Sequence, residues 1–203
     1  MEDIGKLILH EDLKPEFQRE LPVGMERLIE IDPFVDSSSA HSDFWLENIW
    51  KGGMYFNELS DYGQDMAEYV KGKTFLDLGC GRAGNVARTA SALKAKKYIG
   101  VDVWRSNNPN NRIILESEMP AYFVQGDILN FLARRGTSDG TAFFSAGIDA
   151  FSFKNFRDYL SAVYQEMNRL AKSGDVAFSV GLNDINPEKA GFRLNGKGIY
   201  VFP

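Results

Sequence analysis

The sequence predicts an α/β protein, with a doubly wound, mostly parallel sheet of seven strands that ends in an antiparallel hairpin, preceded by an N-terminal helical extension. Three observations carry this expectation. Residues 74–78 have the β-branched and apolar character of a buried strand and run straight into Gly79, Gly81 and Gly84 before a helical pattern resumes. Short apolar strands then alternate with helical stretches as far as residue 180. Near the end, Asn195-Gly196, a dipeptide favoured in tight hairpin turns, separates runs at 191–194 and 199–202.

The elements follow in order. Residues 1–40 contain Pro15, Pro22 and Pro33, a weak helical pattern at 25–29 and the run Ser37-Ser38-Ser39, and read as a loosely organised arm. Phe44, Trp45, Ile49 and Trp50 suit a short helix capped by Ser42 and ended by Gly52-Gly53. Leu59, Tyr62, Met66 and Tyr69 predict a second helix over 60–70, stopped by Lys71-Gly72-Lys73. After the first strand comes a helix with Val86, Ala90 and Leu93 on one face, then strand two at 98–101, ending at Asp102. An Asn-rich loop at 107–111 leads on to strand three at 121–124, and Gly126-Asp127 closes it before a short helix over 128–134. Strand four is expected at 142–145. The clearest helix has Phe156, Leu160, Val163, Met167 and Leu170 on one stripe, and strand five follows at 176–180. The chain thus divides into an arm and helical lid, residues 1–72, and a core, residues 73–203.

Composition narrows the function classes. With 203 residues and 44% apolar content, the chain suits one well-buried core. The single cysteine, Cys80, excludes an internal disulfide framework, and with only His10 and His41 no metal site is read. Leu7-Ile8-Leu9 is the longest apolar run near the start, so neither a signal peptide nor a membrane span is expected, and a cytoplasmic location is. The net charge of −5 is unevenly spread: residues 1–72 carry 6 Lys/Arg against 16 Asp/Glu, and residues 73–203 carry 17 against 12. Either the acidic part is a solvated extension or it folds back over the more basic core, discouraging phosphates. This acidic balance, without a basic cluster, argues against a nucleic-acid partner.

A strand, a glycine turn and a helix N-terminus form a cradle for a nucleotide-like ligand, since glycine lets a ligand approach the backbone. Gly79, Gly81 and Gly84 have the G-x-G-x-x-G spacing of dinucleotide binders, and Asp102 lies where an acid can bind a ribose hydroxyl pair. Asp77 inside the preceding strand, Gly126-Asp127 after strand three and the closing hairpin move the assignment. With Asp77-Leu78-Gly79-Cys80-Gly81, Gly100-Val101-Asp102 and Gln125-Gly126-Asp127-Ile128, the chain resembles the Rossmann-like class I S-adenosylmethionine-dependent methyltransferases over residues 74–182. The stretch 159–174, YLSAVYQEMNRLAKSG, also resembles the family's helix before strand five, with Gly174-Asp175 in place of the usual glycine pair.

The resemblance implies S-adenosyl-L-methionine as cofactor. It implies that Gly79, Cys80 and Gly81 lie against the methionine part and that Asp77 helps to hold the amino group. Asp102 would accept from both ribose hydroxyls, Val103 would pack on the adenine face, and Asp127 would accept from the adenine amino group while the Ile128 N–H reaches the ring. Ser145 would border the sulfonium and the acceptor. Plainer readings stand beside these: a tight strand-to-helix turn for the glycines, a capping or turn acid for Asp77, the N-cap of the next helix for Asp127, and a small apolar residue for Cys80.

Methyl transfer from a sulfonium releases a neutral thioether and needs chiefly alignment, so the sequence shows a cofactor site and no assigned catalytic residue. His41 is the one histidine near the expected lid over 36–58 and is a candidate base for a hydroxyl acceptor, beside its plainer reading as a surface residue. Phe44, Trp45, Trp50, Tyr55 and Phe56 are either core or an aromatic mouth for the sulfonium and a planar acceptor. The Asn/Asp-Pro-Pro-aromatic motif of the amino-methylating members is absent at 145–149, which argues against DNA-base or glutamine methylation of that kind, and the leading expectation is a small-molecule acceptor. Two alternatives remain open: an NAD(P)-dependent Rossmann oxidoreductase, and a non-catalytic methyltransferase-like binding or regulatory protein.

Overall fold

The computed structural model describes residues 6–30, 63–80, 84–103, 119–136, 139–145, 154–179 and 185–203. Five parallel strands form the body of the sheet: β1 (Thr74–Leu78), β2 (Lys97–Asp102), β3 (Ala121–Gln125), β4 (Thr141–Ser145) and β5 (Val176–Ser179). The short strands β6 (Arg193–Leu194) and β7 (Tyr200–Val201) close one edge antiparallel, and the order across the sheet is β3-β2-β1-β4-β5-β7-β6. Chain order reverses direction between β1 and β4. In sheets of this topology, ligands bind beyond the C-terminal ends of the strands at such a reversal.

Side chains alternate along each strand and build a separate core on each face. Phe75, Tyr98, Phe123 and Phe144 point to one face, against Met66 and Val70 of α1 (Gly63–Val70) and Val86, Ala87 and Ala90 of α2 (Gly84–Ala92). Leu76, Leu78, Val101 and Val124 point to the other, against α3 (Ile128–Arg134) and α4 (Phe156–Leu170). β1 is buried at all five positions, as expected for a central strand covered on both sides.

Two details differ from the sequence expectations. The hairpin forms with a loop one residue longer than the expected runs leave: Leu194 pairs with Tyr200, so five residues lie between the strands. The Asn195 carboxamide oxygen accepts from the N–H groups of Lys197 and Ile199, and Gly198, not Gly196, takes the left-handed conformation, at φ 77°. The inner face of α4 is also rotated from the expected stripe: Tyr159, Ala162, Val163, Glu166, Met167 and Leu170 are buried, while Phe156 and Leu160 are only partly so. Tyr159 is drawn inward because its hydroxyl meets a buried carboxylate. Asp175, just before β5, ties that strand's start to β4 and to the preceding turn: its carboxylate accepts from the N–H groups of Thr141 (2.7 Å) and Lys172 (2.9 Å).

The arm, over its described residues 6–30, folds back over the core. Ile8 exchanges backbone hydrogen bonds with Gln125 and so covers the free edge of β3. A 3₁₀ turn (Glu11–Glu16) then buries Leu13 among the residues of the α3–α4 face. Glu16 pairs with Lys97 and with Arg135, whose guanidinium is only 1% exposed, and Glu30 pairs with Lys154. The helix expected over 44–50, the lid over 36–58 and His41 lie outside the described residues, as do Phe44, Trp45, Trp50, Tyr55 and Phe56.

The two ion pairs separate by burial. Glu16→Ala leaves the buried Arg135 charge without its carboxylate and is expected to cost about 3 kcal/mol in urea unfolding. Glu30→Ala, at a solvent-exposed pair, is expected to cost less than about 1 kcal/mol in the same measurement.

Candidate functional site

The site grows from the C-terminal ends of β1, β2 and β4. Gly79 follows β1 with φ 80°, a left-handed conformation that a residue with a Cβ adopts at a cost, and it turns the chain out of the sheet. The N–H groups of Gly79 and Cys80 both donate to the Val101 carbonyl, at 2.9 and 3.1 Å, which pins the turn to β2. Gly81 lies outside the described residues.

Asp77 stands one residue before the end of β1, level with Gly100 on β2 and Phe144 on β4. It is 1% exposed. Its Oδ2 accepts a 2.5 Å hydrogen bond from the Tyr98 hydroxyl, and its Oδ1 is buried with no hydrogen-bond partner among the described residues. Burial drives its pKa up to about 7; the Tyr98 hydrogen bond pulls down and the charge of Asp102 pushes up. Ser145, at the end of β4 and in register with Leu78, has a buried hydroxyl that likewise meets no partner among the described residues. The two groups lie at adjacent C-terminal strand ends but on opposite faces of the sheet, Asp77 with Phe144 and Ser145 with Leu78.

Asp102 ends β2, is mostly buried, and its carbonyl accepts from the Gly126 N–H at 2.8 Å. Val103 beside it is 38% exposed, an apolar surface next to the carboxylate. Cys80 is buried against Gly100, and burial raises its thiol pKa well above the ordinary value, so it stays a neutral small side chain.

Asp127 is fully buried and caps α3. One oxygen accepts from the Asn130 N–H at 2.9 Å and the other from the Tyr159 hydroxyl at 2.7 Å. Burial raises its pKa to about 6, opposed by these bonds and by the Leu129 and Ile128 amides. The structure therefore displays the capping reading of Asp127. The Ile128 side chain is in the α3–α4 core.

Residues that sequence reasoning missed are Tyr98, Gly100 as a space-maker, and Tyr159. The available signal was strand parity: Tyr98 and Gly100 are two apart on β2, so they share the face of Asp77. A further pair, Tyr69 and Lys73, has the Tyr-x-x-x-Lys spacing found in nicotinamide-dependent oxidoreductases. It lies at the other end of β1, where the Tyr69 hydroxyl accepts from Asn195 and Lys73 donates to the Gly174 carbonyl.

The fold is Rossmann-like: a mostly parallel sheet of seven strands with an antiparallel hairpin at one edge. No family model and no curated protein sequence matches the chain. Solved structures do resemble it. DesVI of Streptomyces venezuelae is 19% identical, aligned over 71% of this chain and 57% of its own length, with a TM-score of 0.46. The N-methyltransferase NodS of Bradyrhizobium japonicum WM9 is 12% identical over 66% of this chain and 68% of NodS, with a TM-score of 0.45. A TehB-like SAM-dependent methyltransferase of Corynebacterium glutamicum is 17% identical over 74% of this chain and 94% of that one, with a TM-score of 0.38. The chain spans little more than half the length of DesVI, and these likenesses concern the fold alone.

A carboxyl with a raised folded-state pKa holds its proton more tightly folded than unfolded. Its contribution to stability is therefore full below the unfolded value of 3.8 and is lost as pH rises to about 7. Asp77→Asn is expected to stabilise the ligand-free protein at pH 8 by on the order of 2 kcal/mol, and by clearly less at pH 5. Thermal unfolding at the two pH values measures this.

Proposed function

We propose that the chain is an S-adenosylmethionine-dependent methyltransferase acting on a small-molecule acceptor. The observation that supports this most is the buried Asp77 Oδ1 at the reversal point of the sheet, an acceptor with no partner among the described residues. A buried carboxylate oxygen of this kind suits a cationic donor, and the ammonium of an amino-acid moiety is one. In this reading Asp77 takes the ammonium and the backbone of Gly79, Cys80 and Gly81 runs beside the methionine part. Asp102 takes the ribose hydroxyl pair, a contact that one carboxylate makes with two oxygens. Val103 offers its apolar surface to the base, and Asp127 with Ile128 shapes the base end from α3.

When bound, the cofactor supplies a methyl group on a sulfonium, which leaves as a neutral thioether. The chain then needs no acid for the leaving group, and its task is to align and to exclude water. Ser145 borders the acceptor side. A base is needed only if the acceptor loses a proton, and His41 is the candidate. The division into an arm and lid over 1–72 and a cofactor-binding core over 73–203 belongs to the same proposal, as does the absence of a nucleic-acid partner. No described helix is long and apolar enough to cross a membrane.

Titration calorimetry with S-adenosylmethionine, S-adenosylhomocysteine and NAD tests the reading. Binding of both sulfur ligands on the order of micromolar and none of NAD is expected, and Asp102→Ala should weaken the sulfur ligands by about tenfold or more. Binding of NAD without the sulfur ligands would move the assignment to an oxidoreductase.

A further inference from the structure

Asp77 is not isolated in its pocket. Tyr98 comes from the neighbouring strand, two residues before Gly100, and its ring lies along β2 so that the hydroxyl reaches Asp77 Oδ2 at 2.5 Å. The route exists only because residue 100 is glycine: a Cβ there would stand 2.8 Å from the Tyr98 hydroxyl and 2.7 Å from the Cys80 sulfur. On its other side the ring stacks on Phe75, with centroids 6.2 Å apart and planes 19° from parallel. Tyr98 is fully buried, so its hydroxyl has no access to solvent or to a ligand of its own. Its donor capacity goes to Asp77.

A carboxylate rotates through a broad, two-fold torsion, so an unrestrained Asp77 would present its oxygens in many orientations. We propose that Tyr98 is a positioning residue for the amino-acid end of the cofactor: by holding Oδ2, its hydroxyl fixes the carboxylate plane and presents Oδ1 as the acceptor for an ammonium group. The inference rests on the S-adenosylmethionine reading and adds to it a residue that never touches the ligand. The hydrogen bond has a second effect. Among the described residues, the titratable groups acting on Asp77 are Tyr98 and Asp102 of β2 and Cys80 of the turn; Phe144 faces it from β4 and α1 and α2 bring apolar side chains. Of these described groups, Tyr98 favours the charged carboxylate that an ammonium needs, against burial and against Asp102.

The test compares two ligands. S-Adenosylhomocysteine carries the ammonium; 5′-methylthioadenosine shares its adenosine and thioether but has none. In Tyr98→Phe, the homocysteine ligand should bind about tenfold or more weakly, and methylthioadenosine should change by less than about twofold. The pH above which the homocysteine ligand binds fully should rise in the variant, because Asp77 then ionises later. Asp77→Asn should show the same selectivity, and combining the two changes should add little, as for residues acting through one contact. If Tyr98→Phe proves unstable in thermal unfolding, Gly100→Ala, whose Cβ presses on both the Tyr98 hydroxyl and the Cys80 sulfur, should reproduce the pattern, with unchanged methylthioadenosine binding showing that the Cys80 turn is kept. Equal weakening of both ligands, or unchanged binding of the homocysteine ligand with an unshifted pH profile, overturns the positioning role. If the unaltered protein binds neither ligand, the methyltransferase reading itself fails, and the inference falls with it.

Discussion

A carboxylate buried in the central strand is the constraint around which this molecule is arranged. Asp77 lies between apolar faces at a point where an ionised group is costly, and its pKa near 7 records that cost. Its neighbours answer it one by one. Tyr98 donates to one oxygen, Gly100 leaves room for the tyrosine to pass, and Cys80 is small enough to share that space. Among the described residues the second oxygen of Asp77 has no hydrogen-bond partner, a cost that the two cores on either side of the sheet offset.

The second buried carboxylate shows the contrast. Asp127 is as deeply placed as Asp77, yet both of its oxygens accept, one from the end of α3 and one from Tyr159 of α4. It fixes the angle between a helix and the strand before it, and it does so by using its bonding capacity within the fold. Among the described residues, only one oxygen of Asp77 accepts a hydrogen bond. The two groups, of the same chemistry and similar burial, differ in how far the described residues complete their hydrogen bonds.

The arm contributes on the opposite face. Its sequence shows little periodicity because it is held by single contacts and not by a continuous stripe: Ile8 on the edge of β3, Leu13 in the α3–α4 core and Glu16 on a buried guanidinium. Acidic residues of the arm meet basic residues of the core at Glu16 and Glu30, so the charge asymmetry of the chain corresponds to an attraction between its two parts over the described residues. Arg135 also lies 5.7 Å from the centre of the Phe131 ring, an apolar setting that makes its carboxylate partner matter.

The order of strands and helices, the two-sided burial of β1 and the position of the glycine turn were legible in the sequence, because alternation and glycine act over a few residues and leave a local pattern. The hairpin was legible as a hairpin, but its loop was not, since the Asn195 side chain bonding to two later amides selects Gly198 over Gly196. Of the candidate residues, Asp77, Gly79, Cys80, Asp102 and Ser145 lie at or next to the C-terminal ends of β1, β2 and β4. Only the tertiary structure decided that Tyr98 completes half of Asp77 across 21 residues of chain, and that Tyr159 completes Asp127 across 32. The physical reason is the same for both. A hydrogen bond between distant side chains depends on strand register and helix rotation to within a few tenths of an ångström, and the sum of packing over the whole core, not any local run of residues, sets those.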